Sequence, residues 1–223
     1  LLMKSQQFDK IVELVISKSP FQKKKIFQYL SGKDAAFFEE AELFALNYVG
    51  YLEHQNIPLD YAVSAYLEMC QNMMKCQIEF MKTGRYTVDE HHQAYEEVYS
   101  NETKMKSYMI GLAISQFLWP THYEMYRAFS DAIKKAGNGV RSYLEIGPGH
   151  GLLLNKAMDF LQIGTHITAV DISPISIAIT KSIMNYFRHE SVPIEYCTMD
   201  VLKFDTNYKF DFITIYRYYL YHS

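Results

Sequence analysis

The segment that most limits what this chain can fold into is Leu144-Glu-Ile-Gly-Pro-Gly-His-Gly151. A run of strand type, residues 141–146, enters three glycines in five positions, and a stretch of helical period follows over residues 152–160. A strand that passes through a glycine turn into a helix is the opening of a βαβ unit. Gly147, Gly149 and Gly151 let the backbone approach a ligand with no side chain in the way. The helix that follows begins with N–H groups that have no intrahelical partner. Dinucleotide folds hold a pyrophosphate with the same geometry. Two details differ here. The third glycine comes one residue too early for G-x-G-x-x-G, and Glu145 stands just before the turn, where its carboxylate repels a diphosphate and attracts an ammonium group.

The same alternation continues downstream. Residues 166–171 read as a strand and residues 174–189 as a helix, with Ser173 at its cap and Pro174 in its first turn. Residues 194–197 and 210–216 read as two more strands. Strands alternating with helices predict a Rossmann-like, doubly wound parallel sheet of the α/β class. In such sheets ligands sit at the carboxyl ends of the strands, near the switch in strand order.

Upstream the period is helical throughout residues 5–136. Phe8, Ile11, Val12 and Val15 form one stripe, interrupted by Ser19-Pro20 and resumed over residues 21–30. Asp34 is placed to cap the run that ends before Pro58, and Asp60 to cap a longer one that stops at Gly84. Thr87 and Glu90 have capping-box spacing for residues 88–99. A strongly apolar helix is expected over residues 102–119, ended by Pro120, and Thr121 is expected to cap a helix running to residue 135. The period changes at Gly137-Asn138-Gly139. The expected organisation is an all-helical domain over residues 1–136 and a Rossmann-like domain over residues 137–223.

Charge and cysteine usage exclude several classes. The 223 residues carry a formal net charge of -3, and the longest basic run is Lys23-Lys24-Lys25. Nucleic acid is therefore not expected as a partner, because a phosphate backbone needs many cations on one face. Cys70, Cys76 and Cys197 are odd in number and lack metal-ligand spacing, which fits a reduced, cytoplasmic protein without a metal. Glu90-His91-His92 and Glu96-Glu97 bring no three ligands onto one helical face. No apolar run approaches the ~20 residues of a membrane span, so no membrane partner is expected.

The motif E-I-G-P-G-H-G, at residues 145–151, resembles the first motif of the class I S-adenosylmethionine-dependent methyltransferases. The later strands agree. Asp171 ends the strand HITAVD where that family places an acid for both ribose hydroxyls. Asp200, in YCTMD, matches the acid that accepts from the adenine amino group. The resemblance implies that Ile172 packs on the adenine and that Glu145 serves the methionine ammonium, directly or through water. FDFITI, with Asp211 at its start, matches the family's fourth strand. The likeness covers residues 141–216 and implies S-adenosylmethionine as cofactor. A complete domain of this family has seven strands, so the sheet is expected to be truncated after the fourth, with the C-terminal strands absent.

Methyl transfer asks for in-line positioning, a dry site and often a base. His122 is the first candidate base, in the helix break FLWPTHY. Trp119, Tyr123 and Tyr126 are the aromatics expected to wall an acceptor pocket. The other role open to them is packing, with His122 a hydrogen-bonded core histidine. Two functional readings follow. One is a methyltransferase for a small-molecule acceptor, with the helical domain contributing the acceptor pocket. The other is a noncatalytic S-adenosylmethionine-binding or interaction protein. A nicotinamide oxidoreductase is disfavoured by the glycine spacing and Glu145.

A fourth strand that is apolar on both faces has the pattern of an interior strand. Left as an edge it would offer unpaired backbone groups to another chain. A homodimer is therefore expected, through this edge or through the apolar helices. Light scattering at low micromolar concentration checks this, and a clean monomer would overturn it.

Overall fold

The computed structural model describes residues 6–84, 101–188, 193–205 and 207–215. Thr87, Glu90, His91, His92, Glu96, Glu97 and the tail from Tyr216 lie outside the described residues. By its internal contacts the chain divides into two compact units. One comprises Leu1–Gln71 with Ile110–Tyr123, and the other Asn72–Met109 with Glu124–Ser223.

In the second unit four strands form one parallel sheet: β1 (Ser142–Ile146), β2 (His166–Asp171), β3 (Ile194–Thr198) and β4 (Phe212–Ile215), in the order β3-β2-β1-β4. The Rossmann-like sheet expected from the sequence is present. The chain winds outward from β1 to β3, then returns to the other side of β1, so the switch point lies between β1 and β4. Parallel neighbours need long crossovers, and two helices supply them: α7 (Leu152–Ala157) from β1 to β2, and α8 (Pro174–Arg188) from β2 to β3. The core lies on one face of the sheet. Tyr143, Ile167 and Ala169 pack there against Leu153, Leu154 and Ala157 of α7 and Met184 of α8. Phe129 and Ile133, from the later part of α6 (Pro120–Ala136), complete the layer. On the opposite face Ile213 and Ile215 of β4 are 51% and 68% exposed.

Polar groups set the register where β4 begins. Asp211 Oδ2 accepts from the backbone N–H groups of Arg141 and Ser142 at 2.9 and 3.0 Å and from the Ser142 hydroxyl at 3.0 Å. Its own N–H donates to the Ser142 carbonyl at 3.1 Å. These bonds, the Arg141 N–H first among them, hold the Asp211 carboxyl below the usual aspartate range.

The first unit is helical: α1 (Gln7–Lys18), α2 (Lys23–Ser31), α3 (Ala35–His54), the first part of α4 (Leu59–Thr83) and the end of α5 (Glu102–Ile114). The α1 stripe is buried as its spacing predicts. The first N–H groups of α1 have a partner on α3, because Gln7 N and Phe8 N donate to the two carboxylate oxygens of Glu42, both at 2.9 Å. Asp34 caps α3, accepting from Phe37 N at 2.9 Å. Phe37 is the centre of an aromatic cluster, with Tyr123, Phe117, Tyr29 and Phe8 at centroid distances of 4.7, 5.8, 5.9 and 6.2 Å.

Several boundaries differ from the sequence reading, among them that Thr121 lies inside its helix rather than at the cap. Pro20 opens a short 3-10 turn (Pro20–Gln22) ahead of α2. Asp60 sits inside the first turn of α4 rather than at its cap, where it pairs with Lys18 Nζ at 2.8 Å. The apolar helix ends at Ile114, not at Pro120. There the Ser115 hydroxyl bonds the Leu112 carbonyl at 2.6 Å, the backbone tightens into a 3-10 turn (Ser115–Phe117), and Pro120 begins α6 at a position that needs no N–H. Among the described residues no helix is long and apolar enough to cross a membrane.

Gly111 marks a close helix contact of this unit. A Cβ there would stand 2.8 Å from the Ala65 carbonyl oxygen and 2.9 Å from its carbon, both backbone atoms that cannot step aside. Alanine is the better helix former by about 1 kcal/mol, yet overpacking at a backbone contact costs about 1–3 kcal/mol. Gly111→Ala is expected to lower the urea midpoint; an unchanged or raised midpoint would show that the crossing has room.

Candidate functional site

The glycine turn lies at the carboxyl end of β1. Gly147, Gly149 and Gly151 have φ of +72°, +57° and +75°, the left-handed region that glycine enters without strain. Gly147 N extends the sheet pairing by donating to the Val170 carbonyl at 2.8 Å, and Gly151 N closes a tight turn onto the Pro148 carbonyl at 2.8 Å. α8 packs directly on the turn. Thr180 Oγ1 donates to the Gly149 carbonyl at 3.2 Å, and a Cβ on Gly151 would stand 2.9 Å from Thr180 Cα. His150 is buried rather than solvent-facing, and its Nδ1 accepts from Leu152 N at 3.2 Å.

Two carboxylates bound the turn. Asp171, ending β2, is buried, and its Oδ1 accepts from Ser173 N at 2.8 Å. Burial pushes its ionisation up, and the N–H groups of Ser173 and Gly149 pull it back. The Gly149 bond ties the end of β2 to the glycine turn. Ile172, the next residue, is 40% exposed, as a residue free to meet a ligand must be. Asp200 follows β3, where its Oδ1 accepts from Leu202 N at 3.0 Å and caps the 3-10 turn Val201–Lys203.

Glu145 is wholly buried. Tyr143, two residues earlier on the same face of β1, donates its hydroxyl to Glu145 Oε2 at 2.5 Å, and Thr214 Oγ1 of β4 lies 2.6 Å from that hydroxyl. Among the described residues Glu145 Oε1 has no hydrogen-bond partner. Desolvation raises the Glu145 carboxyl to about 8, opposed by the Tyr143 bond. A buried carboxylate with one orphaned oxygen is a site prepared for a donor or a cation. Tyr143 and Thr214 were absent from the sequence reading. The alternation Tyr143-x-Glu145 was a usable signal, since period two puts both on one face; Thr214 needed the strand register, in which it pairs with Glu145.

In the helical unit His122 Nδ1 lies 2.6 Å from Ser115 Oγ, and its ring stands 4.7 Å from that of Trp119. Because the Ser115 hydroxyl also reaches the Leu112 carbonyl, its one proton serves only one of them; with that proton on Leu112, His122 carries its own proton on Nδ1. Burial lowers the His122 pKa to about 4. Trp119 Nε1 donates to the Tyr66 hydroxyl at 2.9 Å. Tyr123 is buried in the Phe37 cluster and donates to Glu40 Oε2 at 3.1 Å. Tyr126 falls in the other unit, packed against the core on the sheet. Trp119, His122 and Tyr123 are thus neighbours, and Tyr126 belongs with the sheet. Among the described residues no group of three His, Cys, Asp or Glu side chains could hold a metal ion.

No protein-family model and no curated protein matches the chain. Among solved structures, the chain is similar to the N-methyltransferase NodS from Bradyrhizobium japonicum WM9, in complex with S-adenosyl-L-homocysteine. Identity is 22%, over 56% of this chain and 55% of that one, at a TM-score of 0.40. The match spans about half the length of that structure.

The buried Glu145 gives a stability test. Its folded pKa, about 8, lies above its unfolded value, so the folded state holds a proton that the unfolded state has released. Its contribution is complete below the unfolded pKa and is lost as pH rises through about 8, at about 1.4 kcal/mol per pH unit between the two values. Glu145→Gln keeps the neutral shape and is expected to abolish this slope, leaving the variant the more stable protein at pH 8. Denaturant unfolding at pH 5 and pH 8 checks it, and parallel slopes would contradict the buried, protonated state.

Proposed function

We propose that this chain binds S-adenosylmethionine and serves a methyltransferase acting on a small-molecule acceptor. The observation that carries the reading is the glycine turn with three left-handed φ angles, set between the buried carboxylates Glu145 and Asp171 at the ends of adjacent parallel strands. The residues fit the cofactor's parts. The orphaned Glu145 Oε1 suits an ammonium, whose charge would return the carboxyl to its ionised form. Asp171 is assigned to the ribose hydroxyls, Ile172 to one face of the adenine and Asp200 to its amino group. The bound sulfonium would supply an activated methyl group with a good leaving group. What is left to the protein is to hold the two reactants in line and keep water out.

Trp119 and His122, half-buried on the helical unit, are proposed to recognise the acceptor. With a pKa near 4, His122 is neutral at pH 7 and too weak a base to remove a proton efficiently. Its role in this reading is to hold the acceptor by a hydrogen bond. Tyr123 supports that pair from the Phe37 cluster, and Tyr126 backs the sheet.

Calorimetric titration with S-adenosylhomocysteine, and with NAD in parallel, tests the cofactor. Binding of the former alone is expected, and NAD binding alone would overturn the assignment. Asp171→Ala removes a charged acceptor, for which hydrogen bonds contribute roughly 1.5–3 kcal/mol each, so affinity is expected to fall at least tenfold. An unchanged binding curve would remove Asp171 from the ribose site. Transfer of labelled methyl into a metabolite extract separates an enzyme from a noncatalytic binder.

A further inference from the structure

We propose that Tyr143 is a positioning residue: its hydroxyl, steadied by Thr214 across the β1–β4 switch point, holds one oxygen of Glu145 so that the other is presented to the ligand's ammonium group. This rests on the cofactor reading above and goes beyond it, because neither Tyr143 nor Thr214 touches the ligand.

The direction of the hydrogen bonds follows from counting protons. A phenol has one, and against the carboxylate that a bound ammonium would keep ionised, that proton goes to Glu145 Oε2 at 2.5 Å. Thr214 Oγ1, 2.6 Å away, must then donate its own proton to the Tyr143 oxygen. The result is a chain running Thr214 to Tyr143 to Glu145. It crosses from β4 to β1 in the register that pairs Tyr143 with Phe212 and Glu145 with Thr214. Two of the three groups, Tyr143 and Glu145, are wholly buried, so water does not replace a lost member at low cost.

This arrangement gives one carboxylate oxygen a fixed donor and leaves Oε1 without a partner among the described residues. A carboxyl group free to rotate would share itself between the two oxygens and meet an ammonium in several poses. Anchored through Oε2 it offers one oxygen in one direction, which is preorganisation for a cation. Thr214 supplies the second fixed point, because a tyrosine hydroxyl held only by the carboxyl could move with it.

The test compares two ligands on the 223-residue chain. S-adenosylhomocysteine has the ammonium; 5′-methylthioadenosine has the same nucleoside and no amino-acid part. Tyr143→Phe is expected to weaken S-adenosylhomocysteine roughly tenfold, the size of a lost hydrogen bond to a charged group, and to leave methylthioadenosine within about twofold. A merely structural role would weaken both equally, and that result, or no weakening of either, would overturn the proposal. Thr214→Val is expected to shift the same ratio in the same direction by a smaller factor. Should Tyr143→Phe fail to fold, the Thr214→Val ratio decides alone, and an unchanged ratio there counts against us. If the unaltered protein binds neither ligand, the cofactor reading falls and takes this one with it. If it binds both and the ratio never moves, only the positioning role is lost.

Discussion

Pairing of β1 on both of its edges is the constraint from which the rest of the sheet unit follows. β2 lies on one side and β4 on the other, in registers that run the length of the strand. A strand so enclosed cannot tilt or slip without breaking two ladders, and a shift of one residue would turn every side chain to the wrong face. That is why it can carry Glu145 into a place closed to solvent. The desolvation cost is met by a strand that has nowhere else to go, and by the Tyr143 hydroxyl on the next residue of the same face. The glycine turn inherits the same rigidity, since Gly147 still pairs with β2 before the chain leaves the sheet.

The helical unit is held differently. Its centre is Phe37, met edge-on by five other rings, and its helix ends are closed by side chains. Lys33 joins the same cluster, its ammonium 4.4 Å from the Tyr29 ring centre and 5.2 Å from that of Tyr123. The polar atoms at the edge of this cluster are mutually committed: Tyr123 to Glu40, Trp119 to Tyr66, His122 to Ser115. Tyr123 therefore gains a packing role that the sequence reading had offered as the alternative.

Much of the sheet was legible because its signals are local. β2 agrees with its expected bounds, and the glycines of the turn have the backbone angles their residue type announces. Helix ends were less legible, since their causes are tertiary or depend on competition for one carbonyl. Asp60 lies within a turn and pairs with Lys18, and Ser115 diverts the helix that Pro120 was expected to stop. At the site, glycines and acids were readable as residue types at given spacings. The orphaned Oε1 was not, because burial and missing partners are properties of three dimensions. Nor did the sequence reading find Thr214, 69 positions from Glu145, which only parallel pairing brings to its side.

β4 is fastened at its beginning by side-chain bonds as well as along its length by the ladder to β1. Asp211 knots the strand to the first residues of β1, four positions before its end at Ile215. A residue that fixes where a strand starts fixes which face each later side chain takes, and Thr214 is the one that comes opposite Glu145. Asp211, outside the glycine turn, thus helps decide which hydroxyl stands across from a carboxyl buried inside the sheet.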